Sequence, residues 1–326
     1  MLASHAPASD AIATLGGQSM GTSWSAKLVL PRRDDMHRWH MTIQTCLDTV
    51  VAQMSHWEPD SDLSRFNRAS AGTWHVLPAD FLCVLNCAID IARKSDGAYD
   101  PTVGPLVALW GFGPAQGPHR VPAADMLDAV RQQVGWQRIQ IDEKNFRILQ
   151  PGALHLDFSA IAKGYAVDLV VHRLRAAGIA SALVEVGGEI HGFGTKPDGS
   201  AWQVLIEATP DESADERFTP RIVSLAEDSL ATSGDRWHRF HQDGHSYSHT
   251  FDPRTGTTVK QVDTAVTVLA SDTMRADAWA TALMVMEMEH GLSFAEEHGL
   301  AARFVRANGS GIEEAMTRSF QARLTR

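Results

Sequence analysis

The sequence predicts an α+β fold with mixed sheets and packed helices. Three observations lead there. Stretches of strand-like alternation and stretches of helical periodicity are interspersed without a regular βαβ period. The chain has 326 residues, 44% hydrophobic and 21% charged, enough for one large domain with a substantial core. No internal repeat and no low-complexity linker divides it. Residues 1–16, small and polar, read as a flexible N-terminal segment, and 17–326 as a single domain.

In chain order, Gln18 to Val29 alternates as a strand. Asp34 to Ser55 has helical spacing, with Met41, Ile43, Leu47, Val50, Val51 and Met54 as its apolar stripe, and Pro59 with Asp60-Ser61-Asp62 breaks it. A helix follows from about Pro78 to Ser95, then a glycine- and proline-rich loop from Gly104 to Gly117 around Trp110 and Phe112. Ala123 to Gly135 reads as a helix and Ile139 to Leu149 as a hairpin. A short strand, Leu154 to Asp157, leads into a helix from Ile161 to Ala177. Ala182 to Val186, Trp202 to Glu207 and Ile222 to Ala226 read as strands, with an acidic loop at Asp211 to Glu216. The C-terminal part reads as a strand (Val262 to Ala270), two helices (Arg275 to Met288 and Gly291 to His298) and closing strands at Ala301 to Val305 and Ser319 to Leu324.

The balance of 29 Lys+Arg against 39 Asp+Glu gives a formal charge of −10, which removes any electrostatic reason to bind nucleic acid non-specifically. A bound phosphate must then be met by backbone amides, a metal or a few placed cations. Three cysteines, Cys46, Cys83 and Cys87, an odd number, argue against a disulfide framework, and the spacing of Cys83 and Cys87 puts both toward the core of one helix. No segment is long and apolar enough to span a bilayer, and the first residues lack the charged start and apolar stretch of a signal peptide. As written, the chain is expected in the cytoplasm; a chain trimmed of a leader would read the same.

Four stretches carry chemistry. Ala276-Asp277-Ala278-Trp279-Ala280-Thr281-Ala282-Leu283 puts a carboxylate at i and a hydroxyl at i+4 on one helical face. Both are oxygen ligands of the kind a hard cation such as Mg²⁺ takes; the competing reading is that Asp277 caps the helix. Asp157 to Asp168 is a strand-to-helix junction where free amides and Lys163 could hold phosphates, or where Asp157 or Ser159 caps and Lys163 is solvated. Gly187-Gly188 ends an apolar strand and lets backbone approach an anion, or simply makes a turn; it is not a dinucleotide fingerprint. Ser229 to Asp235 and Ser248 to Gly256 are polar and turn-rich. His238, His241, His245 and His249 recur every three or four residues, but in a hairpin that spacing does not converge on a metal, and a role for His249 alone is the more economical reading.

These segments occur in order with Met20-Gly21-Thr22, with Met54-Ser55-His56-Trp57-Glu58-Pro59-Asp60-Ser61-Asp62-Leu63-Ser64-Arg65-Phe66-Asn67, and with Tyr99-Asp100-Pro101-Thr102-Val103-Gly104-Pro105-Leu106 running into Leu109-Trp110-Gly111-Phe112-Gly113. Val186-Gly187-Gly188-Glu189-Ile190 and Thr232-Ser233-Gly234-Asp235 complete the set. Together they resemble the FAD:protein FMN transferase family, the ApbE flavin transferases. The resemblance runs from about Gly17 to Val305. It implies two interleaved lobes with the site between them, and Mg²⁺-dependent (or Mn²⁺-dependent) cleavage of FAD, as substrate, with FMN passed to a Thr or Ser hydroxyl of an acceptor flavoprotein such as a redox-pump subunit, and AMP released.

By the same resemblance, Asp277, Thr281 and the Ala160 carbonyl are the metal ligands, and Lys163 adds positive charge. His249 is the proton acceptor, with Asp252 or Asp157 as alternatives. Met20, Trp57, Trp110, Gly111, Phe112, Asp157, Lys163 and Phe251 meet FAD. Trp57 stands where the family often has Tyr, Ser248 where many members have a second His, and Glu287 where Gly commonly follows the metal helix. Family members often work outside the cytoplasmic membrane, so a removed leader would make this chain periplasmic. The alternatives are an FAD pyrophosphatase, with water in place of the acceptor, and a non-catalytic FAD-binding protein.

Overall fold

A hairpin of two ten-residue strands opens the fold: Asp10–Ser19 (β1) pairs antiparallel with Thr22–Pro31 (β2) through a two-residue turn at Met20-Gly21. Both turn residues have positive φ, 53° and 73°, the combination that suits the twist of a tight hairpin. The computed structural model describes residues 10–114, 119–206, 221–234, 239–259, 264–308 and 311–325. The expected flexible segment is therefore corrected from Asp10 onward, where the chain is already in register with β2. The expected acidic loop at Asp211 to Glu216, and His238, lie outside the described residues.

The chain then leaves the sheet. It forms α1 (Met36–Met54), α2 (Asp62–Asn67), β3 (Thr73–Val76), α3 (Ala79–Lys94), α4 (Gly104–Leu109), α5 (Ala124–Arg131), β4 (Ile141–Asp142), β5 (Arg147–Gln150) and α6 (Ala162–Ala176). It returns as β6 (Ala182–Val186), which pairs directly with β2, and β7 (Glu189–Phe193). Then come β8 (Trp202–Ile206), β9 (Arg221–Leu225), β10 (Glu227–Gly234), β11 (Arg239–Gln242), β12 (His245–Ser248), β13 (Phe251–Asp252), β14 (Thr257–Thr258) and β15 (Thr264–Ala270). The chain ends with α7 (Thr273–Val285), α8 (Met288–Glu297), β16 (Ala301–Asn308), β17 (Gly311–Met316) and α9 (Arg318–Gln321).

The main sheet has eight strands in the order β1-β2-β6-β7-β10-β15-β16-β17. Its neighbours β2 and β6 are separated in sequence by the whole α1–α6 region, which is how the two halves of the chain interleave. Every pairing among the described strands is antiparallel, where mixed sheets were expected. The α+β class itself is as expected.

One apolar core joins helices α1 to α3 to the sheet through α6 and α7. The buried stripe of α1 is Trp39, Ile43, Cys46, Leu47, Val50 and Met54; Met41, expected within it, is exposed. Cys87 is buried as expected, but Cys83 faces outward. Helices α6 and α7 touch at Gly164, where a Cβ would lie 2.8 Å from the Met274 Cα and closer still to the Thr273 carbonyl oxygen. Only glycine allows that crossing. Ser319 to Leu324, expected as a strand, contains α9, capped by the Thr317 side chain. Leu154 to Asp157 joins no ladder; Asp157 instead donates its amide to the Pro101 carbonyl at 2.8 Å. Among the described residues no helix is long and apolar enough to cross a membrane.

Candidate active site

Helix α7 begins four residues before Asp277, and other residues cap it. Asp272 is the N-cap and accepts from the Arg275 amide; Asp168 on α6 accepts from the Thr273 and Met274 amides at 2.8 and 2.9 Å. Burial raises the Asp168 pKa to about 6, against those same hydrogen bonds. Asp277, 3% exposed, is thus not the capping residue, and its carboxylate points across to α6, where Oδ2 accepts from the Gly164 amide at 3.0 Å. Gly164 stands in the first turn of α6, whose amides have no intrahelical acceptor, so Asp277 satisfies one of them from α7. Ala160 lies just before that helix, outside its ladder. One turn along α7, the Thr281 hydroxyl lies 2.9 Å from the Ser233 hydroxyl on β10.

Lys163 is not solvated but paired with Glu189, the first residue of β7. Gly187, in the turn before it, has φ +62°, and a Cβ there would lie 2.8 Å from Thr22 Cγ2 and 3.3 Å from Lys163 Cδ. The glycine turn therefore admits the lysine stem and the Met20-Gly21-Thr22 hairpin side by side. Glu189 is 2% exposed, and its Oε2 has no hydrogen-bond partner among the described residues. Burial pushes its pKa up to about 7, partly offset by Lys163 and reinforced by Asp277. Burial raises Asp277 as well, with Lys163 and the Gly164 amide pulling it down. For Lys163, withdrawal from water works against the ammonium, but Glu189 and Asp277 outweigh it and hold its pKa above the usual value. Two desolvated carboxylates share one ammonium. An oxygen-only donor set of one carboxylate, one hydroxyl and one carbonyl fits a hard divalent cation there.

Beside this corner, Asp157 makes an Asx turn to the Ser159 amide at 2.8 Å and lies 3.9 Å from His56 Nδ1; it does not cap α6. Trp57 follows His56, ring to ring at 5.4 Å, and is 55% exposed. It presents an open indole face.

A second cluster is aromatic. Phe112 lies 5.9 Å from Phe251, 6.4 Å from His249, 5.9 Å from Phe240 and 4.6 Å from His119, ring centre to ring centre. Phe240 stacks on Tyr247 at 5.0 Å. Trp110 is buried under Tyr247 and Phe251, and its indole N–H donates to the Gly256 carbonyl at 3.2 Å. It is the floor of the cluster, and Gly111, at φ +87°, turns the chain from it to Phe112. Asp252 gives both carboxylate oxygens to Arg254, at 2.8 and 2.9 Å, and also accepts from the Arg254 amide. That wiring holds the Pro253-Arg254-Thr255-Gly256 turn and commits both Asp252 carboxylate oxygens to Arg254. The histidine spacing is realised as the hairpin β11–β12. Thr250 ties this segment to α7 through Met284 Sδ at 4.0 Å, three residues from Thr281.

Sequence reasoning assigned no role to Glu189, Ser233, Asp168, Phe240, Tyr247 or His119. Glu189 carried a usable signal, a lone acid just after a glycine turn in an apolar strand pair. Glu287, where the family commonly has Gly, keeps a φ of 64°, so the backbone retains the glycine-like turn between α7 and α8.

A family model described as the ApbE family matches residues 20–304. A Vibrio cholerae protein named FAD:protein FMN transferase is 37% identical over 96% of this chain and 92% of its own length. A Salmonella typhimurium protein of the same name is 34% identical over 96% and 90%. Among solved structures, the apo form of Pseudomonas stutzeri flavinyl transferase ApbE matches with TM-score 0.88 and 39% identity, covering 96% of this chain and 97% of that one. The flavin transferase ApbE from Vibrio cholerae matches with TM-score 0.87 and 36% identity, covering 97% and 100%. On a family match across most of its length and on these relatives, this chain belongs to the ApbE family.

Proposed function

We propose that this protein transfers FMN from FAD to a Thr or Ser hydroxyl of an acceptor protein, releasing AMP, with Mg²⁺ as the metal. The names of its relatives supply the reaction class. The observation that carries the residue assignment is the buried pair Glu189 and Asp277 sharing Lys163, with Thr281 one helical turn beyond Asp277. Mg²⁺, for which Mn²⁺ could substitute, would be held by Asp277, Thr281 and Ala160 and would neutralise charge on the pyrophosphate oxygens.

The chain's own groups do the rest. Lys163, fixed by Glu189, sets a positive charge where the dinucleotide pyrophosphate arrives. Phe112, Phe251 and the open face of Trp57 offer flat apolar surfaces for the ring systems, and Met20 closes the hairpin side. The acceptor oxygen forms a bond to the FMN phosphorus while the pyrophosphate P–O bond breaks; AMP leaves with the electron pair, and His249 takes the hydroxyl proton.

Incubation with FAD, Mg²⁺ and an acceptor domain, read by intact mass, tests this. A gain equal to FMN, lost with chelator, supports it. AMP and free FMN without labelling would support the pyrophosphatase instead, and no AMP at all a binding protein.

A further inference from the structure

The two edges of the main sheet are built differently. At one edge, β17 is six residues long and carries Glu313 and Glu314, which pair with Arg306, Arg221 and Arg303. Short, charged edges of this kind discourage further pairing. At the other edge, β1 is ten residues long and in unbroken register with β2, with no Lys, no Pro and no bulge; Asp10 is its only charge. The phase of its hydrogen bonds follows from β2. Ser23 accepts from the Gly187 amide and Val29 donates to the Ser181 carbonyl, so odd-numbered residues of β2 turn toward β6 and even-numbered ones toward β1. The β1 partners of the odd-numbered set, Ile12, Thr14, Gly16 and Gln18, therefore turn their amides and carbonyls outward. Their side chains are exposed too, and among the described residues nothing pairs with this edge.

That open edge runs straight into the site. Two residues after Gln18 comes the Met20-Gly21 turn, and Thr22 packs against Gly187, which the Lys163 stem also approaches. We propose that the β1 edge captures an extended segment of the acceptor protein by strand addition, main chain to main chain, and so delivers its hydroxyl residue to the Lys163–Asp277 corner. This rests on the transfer reading above, which requires a macromolecular acceptor. In such strand addition the main-chain hydrogen bonds supply affinity, and the alternate side chains of the added segment are left to supply specificity.

The test uses the full chain, saturating FAD and an acceptor domain that the wild-type protein labels. Thr14→Pro removes one outward amide and leaves the β1–β2 ladder intact. The acceptor KM should rise about tenfold, the value of one lost main-chain hydrogen bond and its neighbours' alignment, with kcat and FAD affinity unchanged. On the wild-type protein, the amides of Ile12, Thr14, Gly16 and Gln18 should exchange more slowly when an acceptor with its target Thr replaced by Val is added. An unchanged KM together with unchanged exchange overturns the inference. So does a concentration-dependent dimer of the enzyme abolished by Thr14→Pro, which would give the edge to a second copy. Absence of any FMN on acceptor with the wild-type protein would instead sink the transfer reading and this inference with it.

Discussion

The two halves of the site are made in opposite ways. The α6–α7–β7 corner is built on two long helices and an interior strand of the main sheet, its carboxylates Glu189 and Asp277 are 2–3% exposed, and partners come from distant parts of the chain. The aromatic half is built from short pieces, α4, β11 to β14 and the turns between them, and most of its rings are half-exposed. Desolvation strengthens charge interactions and demands fixed geometry, which suits the half proposed to hold metal and pyrophosphate. Flat rings need surface more than direction, and rings carried on short hairpins can adjust to a large planar ligand.

The sharpest break of this comparison is Asp277→Ala. If the rigid half carries the phosphate chemistry, turnover should fall about a thousandfold at ordinary Mg²⁺, the loss of several kcal/mol of charge stabilisation, with the protein still folded by circular dichroism. Next comes Gly164→Ala, which forces a methyl into the α6–α7 crossing. It should cost roughly 3 kcal/mol in urea unfolding and weaken metal binding in step, because the same amide holds Asp277. His249→Ala should slow transfer about a hundredfold while FAD affinity holds; an unchanged rate would remove His249 from the chemistry.

A pH titration of stability probes the rigid half's wiring at its far end. His191 is buried, 2.8 Å from Ser229, which in turn meets Thr273 at 2.9 Å, and burial depresses its pKa to about 4. The unfolded chain binds that proton more readily, so this group's contribution is present above the ordinary histidine pKa and is lost by about 2 kcal/mol on acidification to pH 5. Asp168, raised to about 6, acts with the opposite sign, because there the folded state binds the proton first. His191→Gln should therefore remove the acid loss and leave stability rising as pH falls from 6 toward 4. Phe240→Ala should have the smallest effect, weakening FAD binding about tenfold with kcat near normal, since it deletes ring contact and no charge.

The sequence made the long elements legible because their periodicity is set by a single core. The edges of α1, α3 and α6 fall within two residues of expectation. It misled where polar residues are satisfied by distant partners. Ser229 to Asp235 looks turn-rich by composition, yet most of it lies in the central strand β10, because Ser229, Thr232 and Ser233 spend their hydroxyls on His191, Thr267 and Thr281. The same limit applied to the site. Asp277 and Lys163 were visible as residue types, but whether they capped helices or faced each other depended on Gly164, Asp168 and Glu189, whose roles exist only across the α6–α7 and α6–β7 contacts. Trp110 was legible as an aromatic in the right loop, and its burial beneath Tyr247 was not.

The most direct test of the two-halves account is Mn²⁺ binding followed by electron paramagnetic resonance in the presence of FAD, for the wild-type protein, Asp277→Asn and Phe240→Ala. The account predicts bound Mn²⁺ in the wild type and in Phe240→Ala at saturating FAD, and its loss in Asp277→Asn. Equal Mn²⁺ binding by Asp277→Asn and the wild type would contradict it.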